Sequence, residues 1–225
     1  MQVDFLQNII AALFGTEVGT FVASTALAML GWIHPFVLAL VWTHAIVACT
    51  KFPAGELERG TLDTLLSLPV SRAELFRGET AGFMLGAMVV VGAGLVGNWV
   101  GGWVSGMRLG VSGARFFIVT CNLYALSLAV GGIASLLSCM AERRGRAMGG
   151  AFAVLLASFF LSSMSSFNDT VKQFSTLSLL NYYRPYQVFE GGRVPWDDVA
   201  ILLTVAVVTW TVGLLILQRR DLRTA

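Results

Sequence analysis

Apolar residues run along this chain in blocks of membrane-crossing length, parted by short stretches where charge, glycine and proline collect. Blocks of that length and spacing predict spanning helices. About six are predicted, over 11–32, 35–52, 79–104, 115–140, 147–167 and 198–217. Glu17 interrupts the first of them, and His34-Pro35 breaks it from the second. Ahead of it, residues 2–14 place Leu6, Ile9, Ile10 and Leu13 on one side, with Gln2, Asp4, Gln7 and Asn8 largely elsewhere. That spacing suits an interfacial helix, although its polar face lacks the usual Lys and Arg. Residues 168–197 read as a longer external loop whose Tyr182, Tyr183, Tyr186 and Trp196 suit the headgroup region. The predicted fold is an all-α polytopic membrane protein, one domain over 1–225.

Composition agrees. The chain is 56% hydrophobic and 12% charged, with a mean hydropathy of +0.75, whereas a soluble domain carries about 25% charged residues. A soluble enzyme or nucleic-acid-binding domain is excluded, and the expected surroundings are the lipid bilayer. The first residues, MQVDFLQN, lack the cationic start of a signal peptide, so none is expected. Cys49, Cys121 and Cys139 lie within or at the ends of apolar runs with no CxxC pair, the pattern of buried small hydrophobes.

The location of charge orients the spans. With both termini and the 53–78 and 141–146 loops on the cytoplasmic side, that side holds Lys51, Arg59, Arg72, Arg77, Arg143, Arg144, Arg146, Arg219, Arg220 and Arg223. The other side holds Arg108, Arg115, Lys172, Arg184 and Arg193. The excess obeys the positive-inside rule.

The most polar stretch, GELERGTLDTLLSLPVSRAELFRG (Gly55–Gly78), therefore faces the cytoplasm. It reads as two short helices and a hinge. Thr61 is placed to cap the first, with Asp63 in its positive first turn and Leu62, Leu65 and Leu66 sharing a face. Pro69 ends that helix, because its ring removes a donor and restricts Leu68. Ser71-Arg72-Ala73-Glu74 is a capping-box pattern that restarts a helix leading into the third span. Force applied to the segment would pass to that span.

The pattern E-x-E-x-G-T-L-x-x-L-L-S-x-P-V-S-R between the second and third spans resembles the export-type (type-two) ABC transporter permease family. It is carried here by Glu56, Glu58, Gly60, Thr61, Leu62, Leu65, Leu66, Ser67, Pro69, Val70, Ser71 and Arg72. The loop ERRGRA after the fourth span and Gln218-Arg219-Arg220-Asp221-Leu222 after the last are similar to that family too. One position departs: family members often carry Lys after the Gly near the third span's start, and this chain has Gly78-Glu79. The resemblance implies a coupling helix at 53–78 that docks on a separate ABC ATPase subunit. Leu62, Leu65 and Leu66 would supply the burial, Glu56, Glu58 and Arg72 the orientation, and Arg59, Gly60, Thr61, Pro69 and Ser71 the rest of the interface. It also implies a second permease copy, as homodimer or paralogue pair, in the inner (cytoplasmic) membrane.

No nucleotide site of the G-x-x-x-x-G-K-[ST] kind is present, since neither Lys51 nor Lys172 follows Gly. The expectation is a non-catalytic chain that binds no cofactor, with ATP and Mg held by the partner ATPase. Gly78, Gly82 and Gly86 form a doubled small-xxx-small repeat that reads as helix packing. His34 and His44 share no helix face reliably, so no metal site is expected. Ser162, Ser163, Ser165 and Ser166 fit either a polar exit or a fraying helix end. Asn122 and Ser127 fit either a pathway or interhelical bonding. Asn168-Asp169-Thr170 matches the short glycosylation pattern. A secondary transporter would hold ionisable groups at depth, where Glu17 alone qualifies. An intramembrane enzyme would need paired acids or HExxH. A non-transporting anchor moved by an ATPase would show the same coupling residues as an exporter.

Overall fold

The computed structural model describes residues 29, 31–105, 111–165 and 173–220. Among them the chain is helical, with no strand. In order the elements are α1 (Pro35–Cys49), α2 (Glu56–Glu58), α3 (Leu62–Leu66), α4 (Arg72–Ser105), α5 (Gly113–Met140), α6 (Arg144–Ser165), α7 (Pro185–Gly191) and α8 (Trp196–Arg219). Five described helices are long and apolar enough to cross a membrane, and they correspond to the predicted second through sixth spans. The interfacial helix at 2–14, Glu17, Asn168-Asp169-Thr170 and nearly all of the predicted first span lie outside the described residues.

α1 begins where Pro35 fixes the first helical turn and His34 accepts the Phe36 amide proton on Nδ1 at 3.2 Å. His34 is thus an N-cap, while the His44 ring stacks on Phe83 with centroids 5.7 Å apart. Among the described residues no metal-binding cluster exists.

α5 is the hub. Its membrane-length window is 67% buried, against 17–33% for the other four. The cause is its run of small residues, Ala125, Ala129, Gly131, Gly132, Ala134 and Ser135, all buried. A Cβ on Gly132 would collide with the Thr209 hydroxyl and lie 3.1 Å from the Ala206 carbonyl of α8. One on Gly131 would run into the Phe83 ring of α4. Without a hydrophobic force between helices in lipid, such close approach carries the association. Of the predicted packing repeat, a Cβ on Gly86 would stand 3.0 Å from His44 Nε2, whereas one on Gly78 or Gly82 would meet nothing within 4 Å among the described residues.

The stretch expected as a longer external loop contains short helical elements where it is described. After 3-10 turns at Ser175–Leu177 and Leu179–Tyr182, α7 tucks against the start of α5. Ser178 donates to the Ser158 carbonyl at 2.8 Å, and the Leu179 amide donates to Ser158 Oγ at 2.8 Å. Arg115 donates to the Phe189 carbonyl at 2.6 Å, and Phe116 meets Phe189 edge to face at 5.3 Å. Tyr183 is buried and donates to the Trp32 carbonyl at 2.9 Å, so it is a core residue, while Tyr186 and Trp196 remain exposed. Asn122 donates to the Tyr182 carbonyl at 3.4 Å, which makes it a structural tie.

Candidate functional site

The polar segment sits at the end of the bundle where α1, α5 and α8 finish and α4 and α6 start. α1 closes with the Thr50 amide and hydroxyl both donating to the Ile46 carbonyl, at 3.1 and 2.6 Å. The tight turn Lys51–Gly55 follows, with Phe52 extended (φ −119°, ψ 137°). That leaves backbone groups of a buried turn needing partners. Ser138 of α5 supplies both, donating to the Phe52 carbonyl at 3.0 Å and accepting from the Ala54 amide at 3.2 Å. The root of the segment is thereby fastened to the hub.

Beyond α2 the chain reverses at Gly60, whose φ of +69° favours glycine. Glu56 accepts from Arg59 Nη2 and from the Thr61 hydroxyl, and the Thr61 amide donates to the Glu56 carbonyl at 3.0 Å. These bonds correct one expectation. Thr61 makes no side-chain cap on α3, because its hydroxyl is taken by Glu56. Glu56 in turn is bonded inside the segment.

The bend also decides which side of α3 faces in. Leu62 is fully buried, Leu65 and Leu66 are half-buried, and the exposed apolar side chains are Leu68 and Val70, at 52% and 38%. Burying one leucine stabilises by about 1.5–3 kcal/mol, so Leu62 is a structural anchor in its own chain's core. Of the expected docking trio, Leu62 thus lies inside its own chain, while Leu68 and Val70 flanking Pro69 form an exposed apolar tip. At the hinge the capping box is complete. The Ser71 amide donates to Glu74 Oε2 at 2.6 Å and the Glu74 amide to Ser71 Oγ at 3.2 Å. α4 then runs 34 residues, about 50 Å, against an apolar bilayer core of about 30 Å. Its first turns therefore carry the hinge rigidly into the membrane.

Every long helix ending at this face is closed by a group of the right sign. Helix C-termini carry partial negative charge and unpaired carbonyls, and N-termini the reverse. Arg144 Nη2 donates to the Val47 carbonyl in the last turn of α1 at 2.9 Å. Arg220 Nη1 donates to the Cys139 and Ala141 carbonyls at the end of α5, at 2.8 and 2.9 Å. Arg72 Nη1 donates to the Leu217 and Arg220 carbonyls at the end of α8, at 3.2 and 2.8 Å. At the two N-termini, Glu74 closes α4, and Glu58 accepts from the Arg144 amide, the first of α6, at 2.9 Å. Arg72 and Glu58 are thus engaged within the chain. Lys51 pairs with Glu79 at 3.9 Å, so the position that departs from the family pattern still holds an ion pair, with Lys on the facing element.

The three sequence patches, around Glu58, Arg144 and Arg220, are therefore one physical unit. Sequence reasoning noticed all three but drew site residues from the first alone. Arg144, Arg220 and Ser138 are additional members. A basic residue just past a span end is the local signal for the two arginines, yet each caps a helix other than its own.

A family model described as ABC-2 family transporter protein matches residues 6–222. The chain belongs to that family. An ABC-2 chain with several membrane-spanning helices is the permease component of an ABC transporter, and the family in general works with an ABC ATPase. Members are typically non-catalytic membrane components. No curated protein matches the chain.

Proposed function

We propose that this ABC-2 chain is the membrane permease subunit of an ATP-driven exporter, and that residues 53–78 are the coupling segment on which a separate ATPase subunit docks. The observation that carries this reading is the combination of a braced base and a bare tip. Glu58, Leu62 and Arg72 bind the segment to its own bundle, while Leu68 and Val70 stand out beside Pro69 at a polar face. A lever needs that division: a tip that a motor can grip and a base stiff enough to pass the load on.

In this reading the tip, with Leu65 and Leu66 behind it, fills an apolar groove on the ATPase. The face is cytoplasmic, both termini lie on that side, and the membrane is the inner membrane, in keeping with the excess of Lys and Arg there. ATP and Mg are bound by the ATPase, and a second permease copy, identical or paralogous, completes the pathway.

The test is co-expression with the ATPase encoded beside this chain, followed by purification and measurement of ATP hydrolysis. The ATPase is expected to co-purify with the unaltered chain. Gly60→Pro, which cannot hold the φ of +69°, and Leu68→Asp should each abolish stimulated hydrolysis. Intact association and activity in both variants would refute the assignment.

A further inference from the structure

We infer that Arg144 is a positioning residue that ties movement at the end of α2 to α6 and to the last turn of α1, beyond the segment's covalent joints to α1 at its root and to α4 at its hinge. The inference rests on the coupling role proposed for residues 53–78. Through the chain, the far side of the segment reaches only α4, by way of the hinge at Pro69–Ser71. Through space Ser138 ties the segment's root to α5 and Arg72 ties its hinge to α8, while the end of α2 is tied to α6 and to the last turn of α1 at Arg144.

The Arg144 amide, an otherwise unpaired N-terminal donor of α6, is held by the Glu58 carboxylate at 2.9 Å. Its guanidinium reaches the Val47 carbonyl of α1 at 2.9 Å. Its aliphatic stem lies against the segment's root, where a Cβ on Gly55 would stand 3.2 Å from Arg144 Cδ. Both polar contacts join a full charge to a helix end of opposite sign, the stronger class of hydrogen bond. The Nε–H is shielded from solvent and has no acceptor among the described residues. The side chain is therefore pinned through Nη2 and its stem, with the segment on one side and two helix ends on the other. When the segment shifts, Glu58 draws the start of α6 and Arg144 draws the end of α1 with it. Neighbouring Arg143 and Arg146 are exposed, and Arg146 is paired only with exposed Glu142 at 3.7 Å, so the role falls to Arg144 alone among the three.

The experiment uses the lipid-reconstituted complex of the full chain with its ATPase. Spin labels at Phe36 and Ser112, exposed positions at the opposite end of α1 and α5, are introduced in a C121S background. ATP is expected to change the label distance in the unaltered chain and in Arg144→Lys, which keeps a cation at the Val47 carbonyl. In Arg144→Gln the change should vanish and kcat for ATP hydrolysis should fall by about tenfold, the scale of one lost charge-assisted hydrogen bond, with KM unchanged and the ATPase still bound. Glu58→Gln, which weakens the same clasp from the other side, should shrink the change as well and serves if Arg144→Gln does not fold. An undiminished distance change in either variant overturns the inference, as does failure of Lys to rescue. Failure of the ATPase to bind the unaltered chain would instead overturn the coupling reading beneath it.

Discussion

Arg72 Nη1 donates to the carbonyl of Arg220 at 2.8 Å across 148 positions of sequence. Arg220, in turn, spends its own guanidinium on the Cys139 and Ala141 carbonyls. The start of α4, the end of α8 and the end of α5 are thus tied in series by two arginines. Neither cation is neutralised by a carboxylate in these bonds; each answers the carbonyl ends of a helix.

Removing the first link should therefore loosen two helices at once. Arg72→Ala is expected to destabilise the bundle by about 1.5–3 kcal/mol, the range for a hydrogen bond to a charged group. Arg72→Lys should recover only part of it, because a compact, strongly hydrated ammonium on a flexible stem replaces the preorganised guanidinium whose Nη1 reaches both carbonyls. Thermal unfolding of the purified chain in mild detergent reads both. The Arg72→Ala, Arg220→Ala pair should fall short of additivity, since the two residues share one chain of contacts.

The apolar tip and the buried anchor of the segment should separate stability from association. Leu62→Ala is expected to cost about 2–5 kcal/mol, as for other buried leucines, and to lower the unfolding temperature of the isolated chain. Leu68→Asp should leave that temperature nearly unchanged while weakening capture of the ATPase. If Leu68→Asp unfolds the chain, or Leu62→Ala leaves stability intact, the division of labour along α3 is wrong.

What was legible beforehand follows the range of the interactions. The five described spans announce themselves because hydropathy is a local property, and the capping box because Ser71 and Glu74 lie three residues apart. Periodicity put Leu62, Leu65 and Leu66 on one face, but a helix's own sequence does not say which face turns inward. The reversal at Gly60 and the fastening of Phe52 and Ala54 to Ser138 decide that, and Ser138 is more than eighty residues away. The arginine ties are illegible for the same reason, as Arg144 meets Val47 across 97 positions. Thr61 was misassigned as a cap because Glu56 competes for its hydroxyl, a contact that exists only once the chain has turned back.

The glycines give a sharp contrast in one measurement. Gly132→Ala would drive a methyl into Thr209 and the α8 backbone, and overpacking of that kind costs about 1–3 kcal/mol. Gly78→Ala and Gly82→Ala meet nothing within 4 Å among the described residues and trade glycine for the best helix former, so they should be neutral or slightly stabilising. Unfolding temperatures of the three variants should split accordingly. Destabilisation by Gly78→Ala or Gly82→Ala in the isolated chain would show that all three glycines of the repeat pack.

Tyr183 offers a test at the other end of the bundle. Its phenol is buried and donates to the Trp32 carbonyl at 2.9 Å, which fastens the folded connection between α6 and α8 to the residues just before α1. Burial disfavours the phenolate and pushes its pKa far above the ordinary value. An acid whose folded pKa is raised contributes stability that is complete below its unfolded pKa and declines as pH climbs towards the folded one. With an unfolded value near about 10, the unaltered chain should hold a constant margin over Tyr183→Phe at neutral pH, about 1 kcal/mol for the lost hydrogen bond. Above pH of about 10 that margin should shrink and then reverse, because phenylalanine has no proton to lose while the unfolded tyrosine ionises. Unfolding temperatures of the two chains measured from neutral to alkaline pH would trace this crossing, and parallel curves throughout would show that Tyr183 is solvated.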